Sequence, residues 1–258
     1  MKENTLPSYL AFDTSTETGS VCICREKTIL DSICFSGQGR HSADLLSKIN
    51  EIIDKQGLVI ADIQGVVVGE GPGSFTGVRV AAATAKGLCH SLGIPLWAVS
   101  SLRAGAISMD FDSDGPITTS LQEQIDIPDQ EGASESSQSQ CVLFDARENR
   151  VYAACYRPML SGDLETIMAP HSTTIEKILL CCDSTTIFAG GGAQRHSDQI
   201  YAAGFQVAPP PAGVPTAAAL HKIAMNSPKD FRVTDISVWE PQYLRVSSAE
   251  RLLKEKGS

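Results

Sequence analysis

The sequence lacks the long apolar runs and the leader segment that direct chains into or across membranes. No apolar stretch approaches the roughly 20 residues that a membrane-spanning helix needs. The first 13 residues carry a single lysine and only a short apolar run from Tyr9 to Phe12, which is not a signal peptide pattern. We therefore expect a cytoplasmic protein with no membrane partner. With 258 residues, 42% of them hydrophobic and 20% charged, the chain has the composition of one large or two small globular domains.

Local metal and redox motifs are also missing. The eight cysteines form no C-x-x-C pair, which excludes zinc-ribbon and thioredoxin-like motifs. The five histidines form neither H-x-x-x-H nor H-E-x-x-H, so the sequence predicts no metal site. Several cysteines lie in apolar runs such as VCIC and YAACY, and we expect buried free thiols in a reducing compartment.

Basic residues are too few to form a nucleic-acid-binding face. The net charge is −9, and residues 110–140 hold eight acidic residues and no Lys or Arg. Because that segment is also rich in Ser and Gln, we predict a mobile acidic insertion over 106–140, either a plain linker or a docking tail for a basic partner. A free-standing RNA-binding protein normally carries a basic face, so we expect any work on RNA to depend on a partner.

Strand and helix patterns alternate in the first hundred residues. Helices are predicted at Ser42–Gln56 and Thr76–Leu92, where apolar or small residues recur at helical spacing. Strands are predicted at Tyr9–Thr14, Ser20–Arg25, Thr28–Phe35, Gly65–Gly69 and Pro95–Val99. The resulting order, βββαβαβ, predicts an α/β fold.

The chain then repeats its opening pattern. FDTSTETGSVCIC begins at Phe12 and FDARENRVYAACY at Phe144, with the second turn expected to be two residues shorter. Two β-β-β-α halves are typical of the actin, sugar-kinase and Hsp70 ATPase architecture, so we predict a duplicated, actin-like fold with two lobes. The first lobe is predicted at 1–105 and the second at 141–225, and it stays open whether 226–258 returns to the first lobe.

Two motifs are candidates for nucleotide binding. Asp13, Thr14 and Ser15 follow the first strand, and a carboxylate beside hydroxyls and backbone N–H groups can hold magnesium-bound phosphate. The alternative is a tight turn closed by its own side chains. GEGPGSFTG, residues 69–77, lies between a strand and a helix and is either an anion site or a close packing turn. It matches neither the Walker nor the Rossmann pattern, nor G-x-S-x-G.

Weaker motifs lie in the second half. Asp145-Ala146-Arg147 is interpreted either as a surface ion pair or as a turn that faces a ligand. Gly190-Gly191-Gly192 either passes close to a nucleotide or forms a loop. No Ser-His-Asp or Cys-His set can be assigned by spacing, so the sequence predicts no catalytic residue.

Longer segments resemble one bacterial family. AFDTSTETGSVCIC, HSADLL and GEGPGSFTGVRVAAATAKGLCHSLGIPLWAVSSL resemble the TsaB (YeaZ) family, and FDARENRVYAACY, PTAAALHKIA and PQYLR are similar to its second half. That family belongs to a glycoprotease-like group with the actin-like ATPase fold, which also contains TsaD. The resemblance implies a non-catalytic subunit that binds TsaD, together with the ATPase TsaE. The complex transfers threonylcarbamoyl to the adenosine beside the anticodon of tRNAs reading codons that begin with A.

The same resemblance implies what is bound and what is absent. TsaD-type subunits carry a metal-binding H-x-x-x-H pair, but here His41 is followed by Leu45 at the second position, so no metal is expected. We expect no tightly bound cofactor, with ATP or ADP at the complex interface left open, and tRNA contact only through the complex. Alone, the chain is expected to form a homodimer.

The family's interface helices correspond to Ser42–Gln56 and Thr76–Leu92. Residues predicted near the partner are Leu45, Ile49, Ile53, Val78, Ala82, Ala85 and Cys89; the alternative is that they belong to the core. Two other functions stay open: a stand-alone actin-like ATPase or small-molecule kinase, and a peptidase.

Overall fold

Two five-stranded mixed sheets form the framework of the computed structural model, which describes residues 6–36, 41–109 and 138–244. Most of the predicted acidic insertion therefore lies outside the described residues. Because alternating side chains of each sheet are buried on opposite faces, both sheets need covering layers, and helices supply them.

The first sheet is built by the first hundred residues. Its elements are β1 (Ser8–Asp13), β2 (Thr18–Arg25), β3 (Thr28–Ser36), α1 (His41–Lys55), β4 (Ile63–Gly69), α2 (Phe75–Leu92) and β5 (Leu96–Val99). The strand order is β3-β2-β1-β4-β5, in which β1 to β3 are antiparallel and β1, β4 and β5 are parallel. The predicted helices and strands of this half are confirmed to within a few residues.

The second sheet follows a short helix, α3 (Ser101–Ile107). Its elements are β6 (Gln140–Asp145), β7 (Arg150–Pro158), β8 (Leu164–Thr174), α4 (Ile175–Cys181), β9 (Ile187–Ala189), α5 (Gly191–Arg195), α6 (Ser197–Ala202) and β10 (Gln206–Val207). The chain then forms α7 (Ala217–Asn226) and α8 (Pro228–Phe231).

The second sheet repeats the topology of the first. Its order, β10-β9-β6-β7-β8, is the first order reversed, again with three antiparallel strands followed by parallel ones. This duplication is the two-lobed α/β fold of actin-like proteins, as predicted. Phe12 pairs with Val21 whereas Phe144 pairs with Tyr152, so the second hairpin is one residue shorter, not two as expected.

Helices α3 and α7 lie between the sheets. On the outer face of the first sheet, Leu10 and Phe12 pack with α1 and α2, while Ala11 points inward to the cluster that contains α7. Helix α3 contributes Ala104 to that inner cluster and Leu102 to the cluster of the second sheet. The two lobes therefore share a helical layer. None of the helices within the described residues combines the length and the hydropathy needed to span a bilayer.

The end of the described chain lies on the first lobe. The predicted division placed residues 141–225 in the second lobe, yet α7 packs on the first sheet through Ala217, Leu220 and Ala224. Farther along, the backbone N–H of Val233 donates to the carbonyl of Leu96 at 2.9 Å. The complete set of boundaries stays a prediction.

Two glycines of α2 provide a matched test of this packing. A Cβ at Gly77 would collide with the carbonyl oxygen of Thr14, whereas a Cβ at Gly87 would meet no atom of the described residues within 4 Å. We expect Gly77→Ala to lower the free energy of unfolding by about 1–3 kcal/mol through overpacking. Gly87→Ala should raise it by about 0.5–1 kcal/mol, since alanine favours the helix. Urea unfolding measures the free energy of unfolding of both variants. If both substitutions change it by the same amount and in the same direction, the close packing at Gly77 is contradicted.

Candidate functional site

The turn after β1 brings the three predicted nucleotide-side residues together. Asp13, Thr14 and Ser15 are almost completely buried, at 0%, 0% and 2% exposure. One carboxylate oxygen of Asp13, Oδ1, accepts hydrogen bonds from the backbone N–H of Ser15 at 2.7 Å and from its hydroxyl at 2.6 Å. These bonds close a tight turn of the kind that aspartate forms with the backbone two residues on. One side of the carboxylate is therefore occupied locally.

The other carboxylate oxygen is held by α3. Ser101 donates its hydroxyl hydrogen to Oδ2 of Asp13 at 2.6 Å. The hydroxyl oxygen of Ser101 accepts a hydrogen bond from the backbone N–H of Gly71 at 3.2 Å. The backbone N–H of Ser101 donates to the carbonyl of Gly71 at 2.9 Å. A continuous network thus joins the turn after β1, the first residue of α3 and the glycine-rich loop.

The glycine-rich loop is pressed against the same turn. A Cβ at Gly69 would collide with the Asp13 carboxylate, and one at Gly73 with the carbonyl of Ser15. Thr14 completes the contact by donating its hydroxyl hydrogen to the carbonyl of Gly77 at 2.7 Å. Glycine is therefore required here because two segments of this chain's own backbone meet.

Several amides of the glycine-rich loop donate hydrogen bonds inside the protein. Ser74 donates its N–H to the carbonyl of Ser15 at 2.7 Å, and Gly77 donates to the Ser74 hydroxyl at 3.3 Å. Glu70 donates to the carbonyl of Val99 at 2.9 Å. An amide that is satisfied internally offers no donor to an anion. These bonds support the packing-turn interpretation, while nucleotide binding by Asp13, Thr14 and Ser15 stays a prediction.

Burial also sets the electrostatics of Asp13. Desolvation raises the pKa of its carboxyl above 3.8, and the hydrogen bonds from Ser101 and Ser15 oppose that shift. Burial therefore disfavours the charged form of the Asp13 carboxyl, while both of its oxygens accept hydrogen bonds.

The corresponding position in the second lobe is different. Asp145 ends β6 with 37% of its side chain exposed and forms an ion pair with Arg195 at 2.6 Å. Its other oxygen accepts from the backbone N–H of Arg147 at 2.8 Å. Gly190, with a φ of 91°, packs so closely on β6 that a Cβ would meet the carbonyl of Leu143 at 2.6 Å. Asp145 therefore takes part in a surface ion pair, but with Arg195 and not with Arg147, and Gly191 and Gly192 begin α5 instead of forming a loop.

The predicted partner-contacting residues lie in the core. Leu45, Ile49, Ile53, Val78, Ala82, Ala85 and Cys89 are each at most 6% exposed within the chain itself. The physical reason is that each helix has one broad apolar face, and the first sheet takes it. A partner on these helices would meet the opposite faces, on which Leu46 of α1 and Ala83 and Gly87 of α2 are exposed.

The segment from Trp239 to Tyr243 covers the outer end of the glycine-rich loop. Gln242 donates its backbone N–H to the carbonyl of Glu70 at 2.9 Å. The rings of Phe75 and Tyr243 lie 5.7 Å apart, and the guanidinium of Arg79 lies 3.7 Å from the centre of the Phe75 ring. The PQYLR segment carried no predicted role beyond its part in the family resemblance, and Pro241 and Tyr243 are the distinctive residues in it.

One open cavity of about 830 Å³ lies elsewhere, between the end of α2 and the segment 232–237. Cys89 is the one predicted site residue that lines it, and its basic lining residues are Lys86, His90 and Arg232. The cavity is therefore separate from the turn after β1 and gives no support to a nucleotide site there.

The titration of Asp13 gives a stability test. A raised pKa in the folded state means that stability present below the unfolded pKa, near 3.8, is lost as pH rises through the folded pKa. Relative to Asp13→Asn, wild-type unfolding free energy should fall as pH rises above 3.8. Urea unfolding between pH 3.5 and about 7 measures this difference, with Asp145→Asn as a control for losing an exposed carboxylate at the matching position. If the unfolding free energies of the wild type and Asp13→Asn change with pH in parallel, the raised pKa of Asp13 is contradicted.

Comparison with known proteins identifies relatives over most of the chain. A family model described as "TsaD: tRNA N6-adenosine threonylcarbamoyltransferase" matches residues 36–121. The tRNA threonylcarbamoyladenosine biosynthesis protein TsaB of Bacillus subtilis is 27% identical, covering 94% of this chain and 96% of that protein. The protein of the same name from Escherichia coli is 26% identical, covering 96% and 98%.

Solved structures support the fold. A Pseudomonas aeruginosa protein described as similar to peptidase YEAZ superposes with a TM-score of 0.72 at 23% identity, over 93% of this chain and 100% of that one. YeaZ from the same organism gives a TM-score of 0.70 at 23% identity over the same shares. Over nearly its full length the chain is therefore similar to proteins named TsaB, and it shares the duplicated fold of YeaZ.

Proposed function

We propose that the chain is a non-catalytic scaffold subunit of bacterial tRNA threonylcarbamoyladenosine biosynthesis and acts by binding a TsaD-family transferase. Similarity to proteins that are named for this biosynthesis supports a role in the pathway. The finer proposal, that the role is to bind and support the transferase, depends on the exposed face of α2.

Gly87 is the observation that carries the proposal. Glycine within a helix costs about 1 kcal/mol relative to alanine, and nothing among the described residues requires it, because a Cβ at Gly87 would meet none of their atoms within 4 Å. Ala83, one turn earlier, is also exposed. Small residues four apart on an exposed helical face allow another helix to approach closely.

The proposed partner is a protein with a similar helical face. The TsaD family model matches residues 36–121, a range that includes both α1 and α2. A TsaD-family protein would therefore present related helices, and the two pairs could pack as a bundle. A second copy of this chain would present the same surface, which is the basis for proposing a homodimer in the absence of TsaD.

The internal hydrogen bonds of the turn after β1 favour a scaffold role over a catalytic one. The carboxylate of Asp13 and the loop amides are bonded within the chain, so a nucleotide would have to displace several of these bonds at once. We therefore propose that ATP or ADP, with TsaE, acts at the assembled interface. With a net charge of −9, the chain is proposed to meet tRNA only through the complex.

Ala83→Arg tests the proposed surface. A long charged side chain on this face should weaken binding to TsaD by at least about tenfold, since burying an unpaired charge costs more than ~1.4 kcal/mol. Isothermal titration calorimetry measures the affinity. The control is Ala202→Arg, an exposed alanine at the end of α6, which should bind as the wild type does.

Thermal unfolding of both variants checks that each is folded. Equal affinities of Ala83→Arg and Ala202→Arg for TsaD would show that this face of α2 is not the contact. Size-exclusion chromatography of the free variants separates loss of a homodimer from loss of the complex with TsaD.

Reconstitution tests the proposed role itself. TsaD, TsaE, a threonylcarbamoyl-adenylate supply, tRNA and ATP are combined with and without this chain, and modified adenosine is quantified. We expect modification only when the chain is present, and less of it with Ala83→Arg than with Ala202→Arg. Equal modification without the chain would contradict the scaffold role and favour a stand-alone activity.

A further inference from the structure

Three cysteines far apart in sequence converge in the second lobe. Cys141 of β6 and Cys155 of β7 are directly paired across antiparallel strands, so their side chains lie on the same face of the sheet. Cys182, the residue that directly follows α4, packs onto that face. The three sulfur atoms all lie within 4.8 Å of one another, with Cys155 and Cys182 at 3.7 Å.

We propose that Cys141, Cys155 and Cys182 form a binding site for Zn²⁺, a thiophilic divalent metal ion. Zn–S bonds of about 2.3 Å in a tetrahedron place sulfur atoms about 3.8 Å apart. The spacing of Cys155 and Cys182 already matches this value, and the third sulfur needs to move by less than about 1 Å. Binding would release the thiol protons to solvent, leaving three thiolates on the metal.

The surroundings favour a divalent ion. The sulfurs lie against an apolar cluster that includes Ile175, Ile178 and Phe188, and three thiolates in such a setting need charge compensation. Zn²⁺ offsets more of that charge than a monovalent soft ion does. Within the part of the chain that the structure describes, the group consists of these three sulfurs, so solvent would hold the fourth position beside the half-buried Cys182.

Such a site would fasten the end of α4 to the sheet. Helix α4 has only seven residues and buries Ile175 and Ile178, so it depends on tertiary contacts for its stability. A metal that links its last turn to β6 and β7 would stabilise the second lobe. This inference is independent of partner binding, which we place on the first lobe.

Neighbouring cysteines provide a matched pair for the test. Cys182 turns toward the sulfur cluster, whereas the adjacent Cys181 is exposed. The full chain is purified under reducing conditions, loaded with Zn²⁺, desalted, and its zinc content measured by native mass spectrometry. We expect the wild type and Cys181→Ser to hold about one more ion than Cys182→Ser, since removing a ligand opens the site.

Two further measurements exclude adventitious binding. Co²⁺ loading should give thiolate-to-metal charge-transfer absorption in Cys181→Ser and not in Cys182→Ser. A chelator should lower the thermal midpoint of Zn²⁺-loaded wild type and Cys181→Ser while leaving Cys182→Ser unchanged. If Cys182→Ser fails to fold, alkylation of the wild type with and without Zn²⁺ replaces it, and Zn²⁺ should protect Cys141, Cys155 and Cys182 together.

The proposal would be overturned by equal zinc contents in Cys181→Ser and Cys182→Ser. Failure of the wild type to retain Zn²⁺ would overturn it too. So would a disulfide between Cys155 and Cys182 in the chain isolated under reducing conditions, because a disulfide removes two of the three ligands.

Discussion

The buried carboxylate of Asp13 is the interaction on which the first lobe depends. It ends β1 in the middle of the sheet, and its two oxygens are held by Ser15 in the next turn and by Ser101 in α3. Through Ser101 it also positions the glycine-rich loop that leads into α2. A buried polar group is tolerated only when it is hydrogen-bonded, so the turn, the loop and α3 must all be in place together. This coupling connects the helical layer between the lobes to the helices on the outer face.

This same coupling explains how a nucleotide-like motif can serve packing inside the protein. Glycines allow a backbone to approach a phosphate, but they equally allow it to approach another backbone. Here Gly73 and Gly77 lie against the carbonyls of Ser15 and Thr14, so at these two positions the glycines serve packing within the chain. The loop sequence alone does not distinguish the two uses, because the deciding contact involves residues about sixty positions earlier.

The fold could be predicted from sequence because its signals are local. Periodic apolar residues marked α1 and α2, and the repeated Phe-Asp pattern at Phe12 and Phe144 revealed the duplication. The position of α7 could not be predicted in this way, since its sequence is compatible with either lobe and only tertiary packing places it on the first sheet. The predicted contact residues are buried within the chain, because an apolar face such as that of Leu45 and Ile49 packs on the sheet, and their contact with a partner stays a prediction.

The Cys141, Cys155 and Cys182 cluster shows the other limit of sequence reasoning. Metal motifs are recognised by short spacing, but a cross-strand pair joined by a helix end has no such spacing. Its formation requires the β6–β7 register, because a slip of one residue would turn Cys141 to the opposite face. Strands β6 and β7 of the second sheet carry the cysteine cluster, whereas the exposed Ala83 and Gly87 lie on α2, which packs on the first sheet. The cluster and the exposed face of α2 therefore belong to different lobes. A metal in the second lobe would then influence partner binding only through the helical layer of α3 and α7 that both lobes share.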